Sequence, residues 1–212
     1  DIFAGFARSY PAARVVSAAE AVGGVAKAEA WGFSPTRRIR ADETEGDTVF
    51  LFAPPAETEL LQPTLVSGRW LDRADENAVV INSHVLVDEP DLRVGGELVL
   101  DLDGRETPWI VVGVVRAPGP DPFVYVNYPY FSQATRSGGR VNSVLTVVEP
   151  AYQGAQSEMA AALEAHFRQA GLRVESVVRI AQEVDEAQAA FNILIALLLI
   201  MASLLAVVGA LG

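Results

Sequence analysis

The residues that could support catalysis or metal binding are few, and they lie far apart in the sequence. The chain has 212 residues with two histidines, His84 and His166, and no cysteine. A zinc site needs at least three ligands, usually with some of them closely spaced, and no such set is present. The sequence also has no GxSxG nucleophile motif and no glycine-rich phosphate-binding loop. We therefore expect no catalytic residue, no metal and no cofactor in this chain.

Two acidic segments are candidates for cation binding or acid-base chemistry. They are DETEGD at 42–47 and DLDG at 101–104. Neither has the ligand spacing or the terminal glutamate of a calcium loop, so both are predicted to be solvated turns. A pair of catalytic carboxylates assembled from distant positions stays open, although the sequence singles out no pair.

The most distinctive segment is FVYVNYPYF at 123–131. Its aromatic residues are Phe123, Tyr125, Tyr128, Tyr130 and Phe131. Aromatic side chains are large apolar groups that often form contact surfaces, so these five are candidates for contact with a partner or a substrate. The alternative is that Phe123 and Tyr125, two residues apart, fill a β core while the others cover it.

The composition indicates a folded, acidic domain. Half of the residues are hydrophobic, which is ample for a core. The formal net charge is -11, whereas nucleic-acid binding needs clustered Lys and Arg. Nucleic acid is therefore excluded as a partner.

The end of the chain is predicted to span a membrane. Residues 191–212 contain no charged side chain, and a helix of that length, at about 1.5 Å per residue, crosses the roughly 30 Å hydrocarbon core of a bilayer. Residues 182–190 continue this helical pattern. No polar residues end the span, so we interpret it as truncated. The apolar start of the chain, residues 1–9, is interpreted as the exit of a preceding transmembrane helix.

Charge predicts the orientation of this span. The residues just before it, Glu183, Asp185 and Glu186, are acidic, and the nearest basic residue is Arg179. Positive charge is retained on the cytoplasmic side of membranes. The part of the chain that precedes the span is therefore expected to be extracytoplasmic.

Between the two ends, hydrophobic periodicity predicts a mixture of helices and strands. The predicted helices are 11–22, 83–89 and 150–170, and the predicted strands are 25–33, its hairpin partner 37–41, 48–53, 78–82, 97–101, 109–115, 123–126, 142–149 and 172–180. The fold class is therefore α+β, in which the outer pieces form an α/β layer and the β-rich middle is inserted as a second lobe.

Three segments resemble the periplasmic core domain of MacB/FtsX-type ABC transporter permeases. They are GRWLDRADENAVVINSHV at 68–85, LRVGGELVLDLDGRETPWIVVGVV at 92–115 and FVYVNYPYFSQATRSGG at 123–139. The resemblance extends over about residues 10–212 and rests on the order and spacing of these motifs. It implies a mixed α/β Porter-like lobe and an inserted β-rich Sabre-like lobe.

The resemblance also implies domain boundaries. The Porter-like lobe corresponds to residues 10–62 and 142–181, and the Sabre-like lobe to residues 63–141. Residues 182–190 correspond to a stalk helix, and residues 191–212 to the start of the second transmembrane helix.

The function implied by the resemblance is mechanical. Such permeases pair as homo- or heterodimers in the cell membrane and bind a cytoplasmic ATP-binding subunit, whose motion is relayed to the extracytoplasmic domains and to any extracytoplasmic partner protein. The candidate stalk residues are Glu183, Glu186 and Ala187. Small residues at helical spacing, Ala202, Ala206 and Gly209, are candidates for close helix packing in the bilayer.

Two other functions stay open at this stage. One is a membrane-tethered sensor or adaptor that binds a partner through its aromatic residues without an ATPase. The other is an anchored hydrolase whose site the sequence does not reveal.

Overall fold

The computed structural model describes residues 1–61, 63–116 and 121–179. The strands are β1 (Ile2–Pro11), β2 (Val25–Ile39), β3 (Glu45–Ala53), β4 (Leu65–Gly68), β5 (Ala78–Asn82), β6 (Glu97–Asp101), β7 (Glu106–Val115), β8 (Phe123–Val126), β9 (Arg140–Val148) and β10 (Val174–Arg179). The helices are α1 (Ala12–Glu20), α2 (Val85–Asp88), α3 (Tyr128–Ala134) and α4 (Gln156–Gln169), with a 3-10 helix at Pro150–Ala155. The predicted stalk, 182–190, and the predicted span, 191–212, lie outside the described residues.

The first half of the fold is an open antiparallel sheet in the order β10-β1-β9-β2. Helices α1 and α4 pack on one face of it, because each has an apolar stripe at helical spacing. The core between helices and sheet includes Phe6, Val15, Val144, Leu163 and Phe167, all at most 3% exposed.

The second half is a closed ring of six strands, β2-β3-β8-β5-β7-β6, in which β6 pairs with both β7 and β2. Two pairs are parallel, β3 with β8 and β5 with β7, and the others are antiparallel. Alternate side chains such as Leu51, Ile81, Leu100 and Trp109 point into the ring and are fully buried. The mixed sheet and flanking helices confirm the predicted α+β class.

Strand β2 belongs to both halves. Its residues 25–31 pair with β9, and its residues 32–39 pair with β3 on the opposite edge. The predicted hairpin between residues 25–33 and 37–41, with its turn at Ser34-Pro35, is wrong. Pro35 can continue the strand although it has no N–H. Its nitrogen lies on the edge of β2 that pairs with β9 up to Trp31 and with β6 from Arg38, and at Pro35 no strand on that edge needs a donor.

The start of the chain also differs from the prediction. Residues 1–9 were expected to leave a transmembrane helix, but Ile2–Pro11 is strand β1, paired with β10 on one side and β9 on the other. The segment is apolar because Ile2, Ala4 and Phe6 alternate into the core under α4. No helix among the described residues is both long and apolar enough to cross a membrane.

One strand that was assigned to the Porter-like lobe packs with the ring. Strand β3 was assigned to the Porter-like lobe, yet it pairs with β8 and packs Val49 and Leu51 into the ring. Residues 1–179 form one compact unit. The division into two lobes as such stays a prediction.

The hairpin turn predicted at 101–104 is confirmed in outline. Leu102 and Arg105 exchange backbone hydrogen bonds of 2.9 and 3.2 Å between β6 and β7. Asp103 and Gly104 have φ of 55° and 75°, which is the left-handed backbone that a two-residue hairpin loop requires and that Asp-Gly tolerates.

A buried hydroxyl on β9 predicts a stabilising substitution. Thr146 is 1% exposed, and its Oγ1 has no hydrogen-bond partner among the described residues. Thr146→Val should therefore raise the free energy of unfolding by about 1 kcal/mol, because it removes an unsatisfied polar group. Thr36 is the matched control, since its buried hydroxyl donates to the Asp101 carbonyl at 2.6 Å. Thr36→Val should lower stability, and chemical denaturation in which both variants shift the same way would contradict the prediction.

Candidate functional site

The five aromatic residues predicted to form one contact surface lie on opposite faces of the fold. Phe123 and Tyr125 alternate along β8 to the outer face of the ring. Tyr128, Tyr130 and Phe131 lie on α3, which packs against the inner core. The structure therefore brings them together as two groups, not as one surface.

The three residues on α3 pack against the protein itself. Phe131 is 5% exposed and lies directly over Gly32 of β2, where an added Cβ would come within 2.5 Å of its ring. Tyr130 makes an edge contact with Trp109, with ring centroids 4.9 Å apart. Tyr128 contacts the cores of both halves. Helix α3 thus packs against the inner core of the ring, next to the junction of the ring with the open sheet.

Phe123 and Tyr125 belong to a larger group on the outer face, which we call the aromatic cluster. Its members are Phe3, Trp31, Phe33, Phe50, Phe52, Trp70, Phe123 and Tyr125. Phe52 is central, with ring centroids 5.3 Å from Phe33, 5.5 Å from Phe3 and 6.0 Å from Tyr125. These are the separations at which aromatic pairs attract each other.

The aromatic cluster connects the two halves of the fold. Phe3 comes from β1 of the open sheet, whereas Phe52 and Phe123 come from the ring. Trp31 lies at the point where β2 passes from one half to the other, and it is 3% exposed. A displacement of either half is therefore resisted by the same set of packed aromatic side chains.

Part of the aromatic cluster is covered by the segment between β3 and β5. Trp70 of this segment packs on Tyr125 at 5.2 Å, and burial raises the pKa of the Tyr125 phenol. Phe3, Phe33, Phe50 and Phe52 are only half-buried. Phe123, Tyr125 and Phe131 are buried, which agrees with the alternative that Phe123 and Tyr125 fill a β core, and contact of the five residues with a partner or substrate stays a prediction.

A buried carboxylate anchors this covering segment. Glu29 on β2 is 8% exposed and accepts hydrogen bonds from the Thr58 hydroxyl at 2.6 Å and the Glu59 backbone N–H at 3.1 Å. Lys27 pairs with Glu59 at 2.5 Å, and this hydrogen bond raises the pKa of Lys27. Since Glu29 has its partners in the adjacent segment, it acts as a structural carboxylate.

A second charged cluster fixes the other end of β2. Arg38 donates to Glu89 at 2.7 Å and to Asp91 at 2.6 Å, and Arg40 donates to Glu89 at 2.6 Å. The hydrogen bonds from Arg38 hold the pKa of Asp91 below its ordinary value. Glu89 is 4% exposed, so its pairing with two guanidinium groups compensates its burial.

The residues considered for catalysis are not brought together. His84 precedes α2 and His166 lies on α4, in different halves of the fold. Within the described ranges there is no group of three or more His, Asp or Glu side chains that could hold a metal ion. The candidate stalk residues Glu183, Glu186 and Ala187 lie outside the described residues. So do the candidate packing residues, which are Ala202, Ala206 and Gly209.

The residues that join the two halves were not predicted from the sequence. Trp31 contacts Phe52, and Glu29 accepts a hydrogen bond from Thr58; both contacts join residues about 20 to 30 positions apart, and no local pattern indicates them.

Comparison with known proteins places this fold in a family. A family model described as the MacB-like periplasmic core domain matches residues 2–193. Among curated proteins, no significant match was found.

Two solved structures are similar over most of their length. The periplasmic region of MacB from Actinobacillus actinomycetemcomitans has 12% sequence identity and a TM-score of 0.54, over 90% of this chain and 91% of that one. The extracellular domain of the noncanonic ABC-type transporter YknZ from Gram-positive bacteria has 15% identity and a TM-score of 0.53, over 82% of this chain and 98% of that one. At these identities the structures show a shared fold.

Proposed function

The chain belongs to the family of MacB-like periplasmic core domains, and from this premise we propose that it relays the ATP-driven motion of a cytoplasmic ATPase to substrate export or extraction outside the cytoplasm. It is the periplasmic core domain of a MacB-like ABC transporter permease, a generally non-catalytic kind of domain. Its work in this proposal is mechanical, and ATP is hydrolysed in a separate subunit or domain.

The observation that carries the proposal is the position of the first and last described strands. Strands β1 and β10 are antiparallel neighbours, so that Ile2 is paired with Arg179 and Phe3 with Val178. Segments attached to the start of β1 and to the end of β10 would meet the domain side by side, at the same end of these two strands. A domain inserted between two consecutive transmembrane helices needs this arrangement, because both connections must return to the same membrane surface.

The packing of the two halves supports the same proposal. A domain that relays a displacement must move as a body, without internal slippage. Strand β2 is shared by the open sheet and the ring, and the aromatic cluster packs across both on the outer face. A push applied at β1 and β10 is thereby passed to the far side of the ring.

The proposal includes specific partners. We expect a cytoplasmic ATP-binding subunit, a second permease copy in a homo- or heterodimer, the lipid bilayer and, for some cargoes, an extracytoplasmic partner protein. Residues 182–190 would connect the domain to the membrane as a stalk. The domain itself would lie on the extracytoplasmic side of the cell membrane and would bind no cofactor.

The test is co-purification of the intact parent protein from gently solubilised native membranes, followed by mass spectrometry and an ATPase assay. We expect an ATP-binding subunit to co-purify with vanadate-sensitive ATP turnover. A pull-down that contains no ATPase, under conditions that preserve a known transporter complex, would contradict the relay and favour a tethered adaptor.

A further inference from the structure

The edge of β2 contains a gap between two partner strands. Its pairing with β9 ends at Trp31, opposite Ser143, and its pairing with β6 begins only at Arg38, opposite Leu100. The gap is where the open sheet ends and the ring begins. Backbone N–H and C=O groups along a strand edge need hydrogen-bond partners when they are partly buried. In the gap, groups other than a neighbouring strand must supply these partners.

One side chain fills the start of this gap, and another bridges its end to β6. The Asn142 amide oxygen accepts a hydrogen bond from the Phe33 backbone N–H at 2.8 Å, and the Asn142 amide nitrogen donates to the Phe33 carbonyl at 2.7 Å. Further along, the Thr36 hydroxyl donates to the Asp101 carbonyl at 2.6 Å, just after the residues of β6 that pair with β2. Asn142 therefore makes the pair of bonds that a residue of a neighbouring strand would make.

We propose that Asn142 is the positioning residue that joins the open sheet and the ring into one mechanical unit, because its side-chain amide bonds to β2 just beyond the point where the backbone pairing of β9 with β2 ends. We call this pair of hydrogen bonds the Asn142 bridge. The inference deepens the proposed relay and rests on it for its functional meaning. The structural part stands on the two hydrogen bonds alone.

Three features favour a coupling role over simple satisfaction of polar groups. The bridge holds Phe33, a member of the aromatic cluster, by its backbone. The adjacent residue Gly32 is closely covered by Phe131 of α3. On the other side of β9, the pairing with β1 is interrupted between Gly5–Ser143 and Tyr10–Val141, where β1 contains the extra residues, so Asn142 lies where the backbone ladders on both sides of β9 are interrupted. Without Asn142, nothing described on that edge would hold β2 until Thr36.

The test is amide hydrogen exchange of the intact parent protein in lipid nanodiscs, followed by mass spectrometry. Peptides from β1 and α4 report on the open sheet, and peptides from β5 and β8 report on the ring. In the wild type, the most protected amides of both halves should exchange through a common opening, at rates within about threefold of each other. In Asn142→Ala, the rates of the two halves should separate by about tenfold or more.

Ser143→Ala is the matched control. The Ser143 hydroxyl donates to the Trp31 carbonyl at 3.0 Å, one residue further along β9, where the backbone ladder is intact. Its loss should accelerate exchange in both halves together. A common acceleration in Asn142→Ala, an equal separation in Ser143→Ala, or halves that are already separated in the wild type would each overturn the inference.

A second variant, Asn142→Asp, keeps the inference testable if Asn142→Ala does not fold. Asn142→Asp keeps an acceptor for the Phe33 N–H and loses the donor, so it should separate the two halves less than Asn142→Ala does, with a ratio of rates about threefold above the wild-type ratio. If Asn142→Ala does not fold, a ratio in Asn142→Asp equal to that of the wild type would overturn the bridge.

The failure of the bridge and the failure of the relay are distinguishable. Separated halves with unchanged coupling of ATP hydrolysis to output would uphold the bridge and contradict the relay through this junction. A wild-type complex that lacks an ATPase would contradict the relay and leave the exchange result on the bridge intact.

Discussion

Replacement of Trp31 by alanine lowers the free energy of unfolding by about 3–5 kcal/mol, the range for truncation of a large buried aromatic side chain. Trp31 is 3% exposed, makes an edge contact with Phe52 at 6.3 Å and lies where β2 passes from the open sheet to the ring. The cavity would therefore weaken the packing of both halves at once. Thermal and chemical denaturation of the intact protein measure the loss.

Two variants serve as controls for this prediction. Trp31→Phe keeps a ring against Phe52 and should cost less, about 1–2 kcal/mol. Trp109→Ala removes a tryptophan side chain that is fully buried inside the ring of strands. It should lower the free energy of unfolding by as much as Trp31→Ala does. A loss below about 1 kcal/mol in Trp31→Ala would show that the aromatic cluster contributes little to stability.

Insertion of Gly-Pro after Ala187 should uncouple ATP hydrolysis from extracytoplasmic output. The sequence predicts an uninterrupted helix through residues 182–190, and a proline inside a helix costs about 3 kcal/mol or more and kinks or breaks it. A broken stalk cannot transmit a displacement, so ATP turnover should continue while output falls by about tenfold or more.

The control for this insertion places the same dipeptide where no relay is expected. Glu43 lies in the exposed turn between β2 and β3 and already has a positive φ of 64°, so Gly-Pro after Glu43 should leave coupling intact. Unchanged output with the insertion at Ala187, measured under the same conditions, would refute the stalk as the path of force.

Local patterns sufficed for most individual elements of the fold. Strands β5, β6, β7 and β8 were predicted from short β-branched runs between turn residues, and the Asp-Gly turn joins β6 to β7 as expected. These elements are predictable because their signals, side-chain alternation and turn chemistry, lie within a few residues.

The errors arose where distant partners override local preference. Ser34-Pro35 has the composition of a turn, yet β3 on one edge and Asn142 near the other keep β2 extended there. Residues 2–7 are apolar enough for a membrane-proximal helix, yet their alternation fits a strand buried under α4. In both cases the deciding contacts come from strands that are distant in sequence.

The candidate site was less predictable than the fold. The aromatic residues at 123–131 were recognised, but the sheet divides them because β8 ends at Val126 and α3 starts at Tyr128. Their true neighbours, such as Phe3, Phe52 and Trp70, come from three other parts of the chain. Strand order decides which aromatic side chains contact each other. The order of strands in a sheet of mixed topology is not encoded in any local segment.

The most direct test of the relay is a distance measurement between two copies of the domain in the assembled transporter. The chain has no native cysteine, and Val87 on α2 is 72% exposed, so Val87→Cys offers a single labelling position once cysteines elsewhere in the complex are replaced. Pulsed electron spin resonance would compare the label-to-label distances without nucleotide and with ATP and vanadate. The relay predicts a shifted distance distribution in the trapped state, and an identical distribution in both states, with ATP turnover intact, would contradict it.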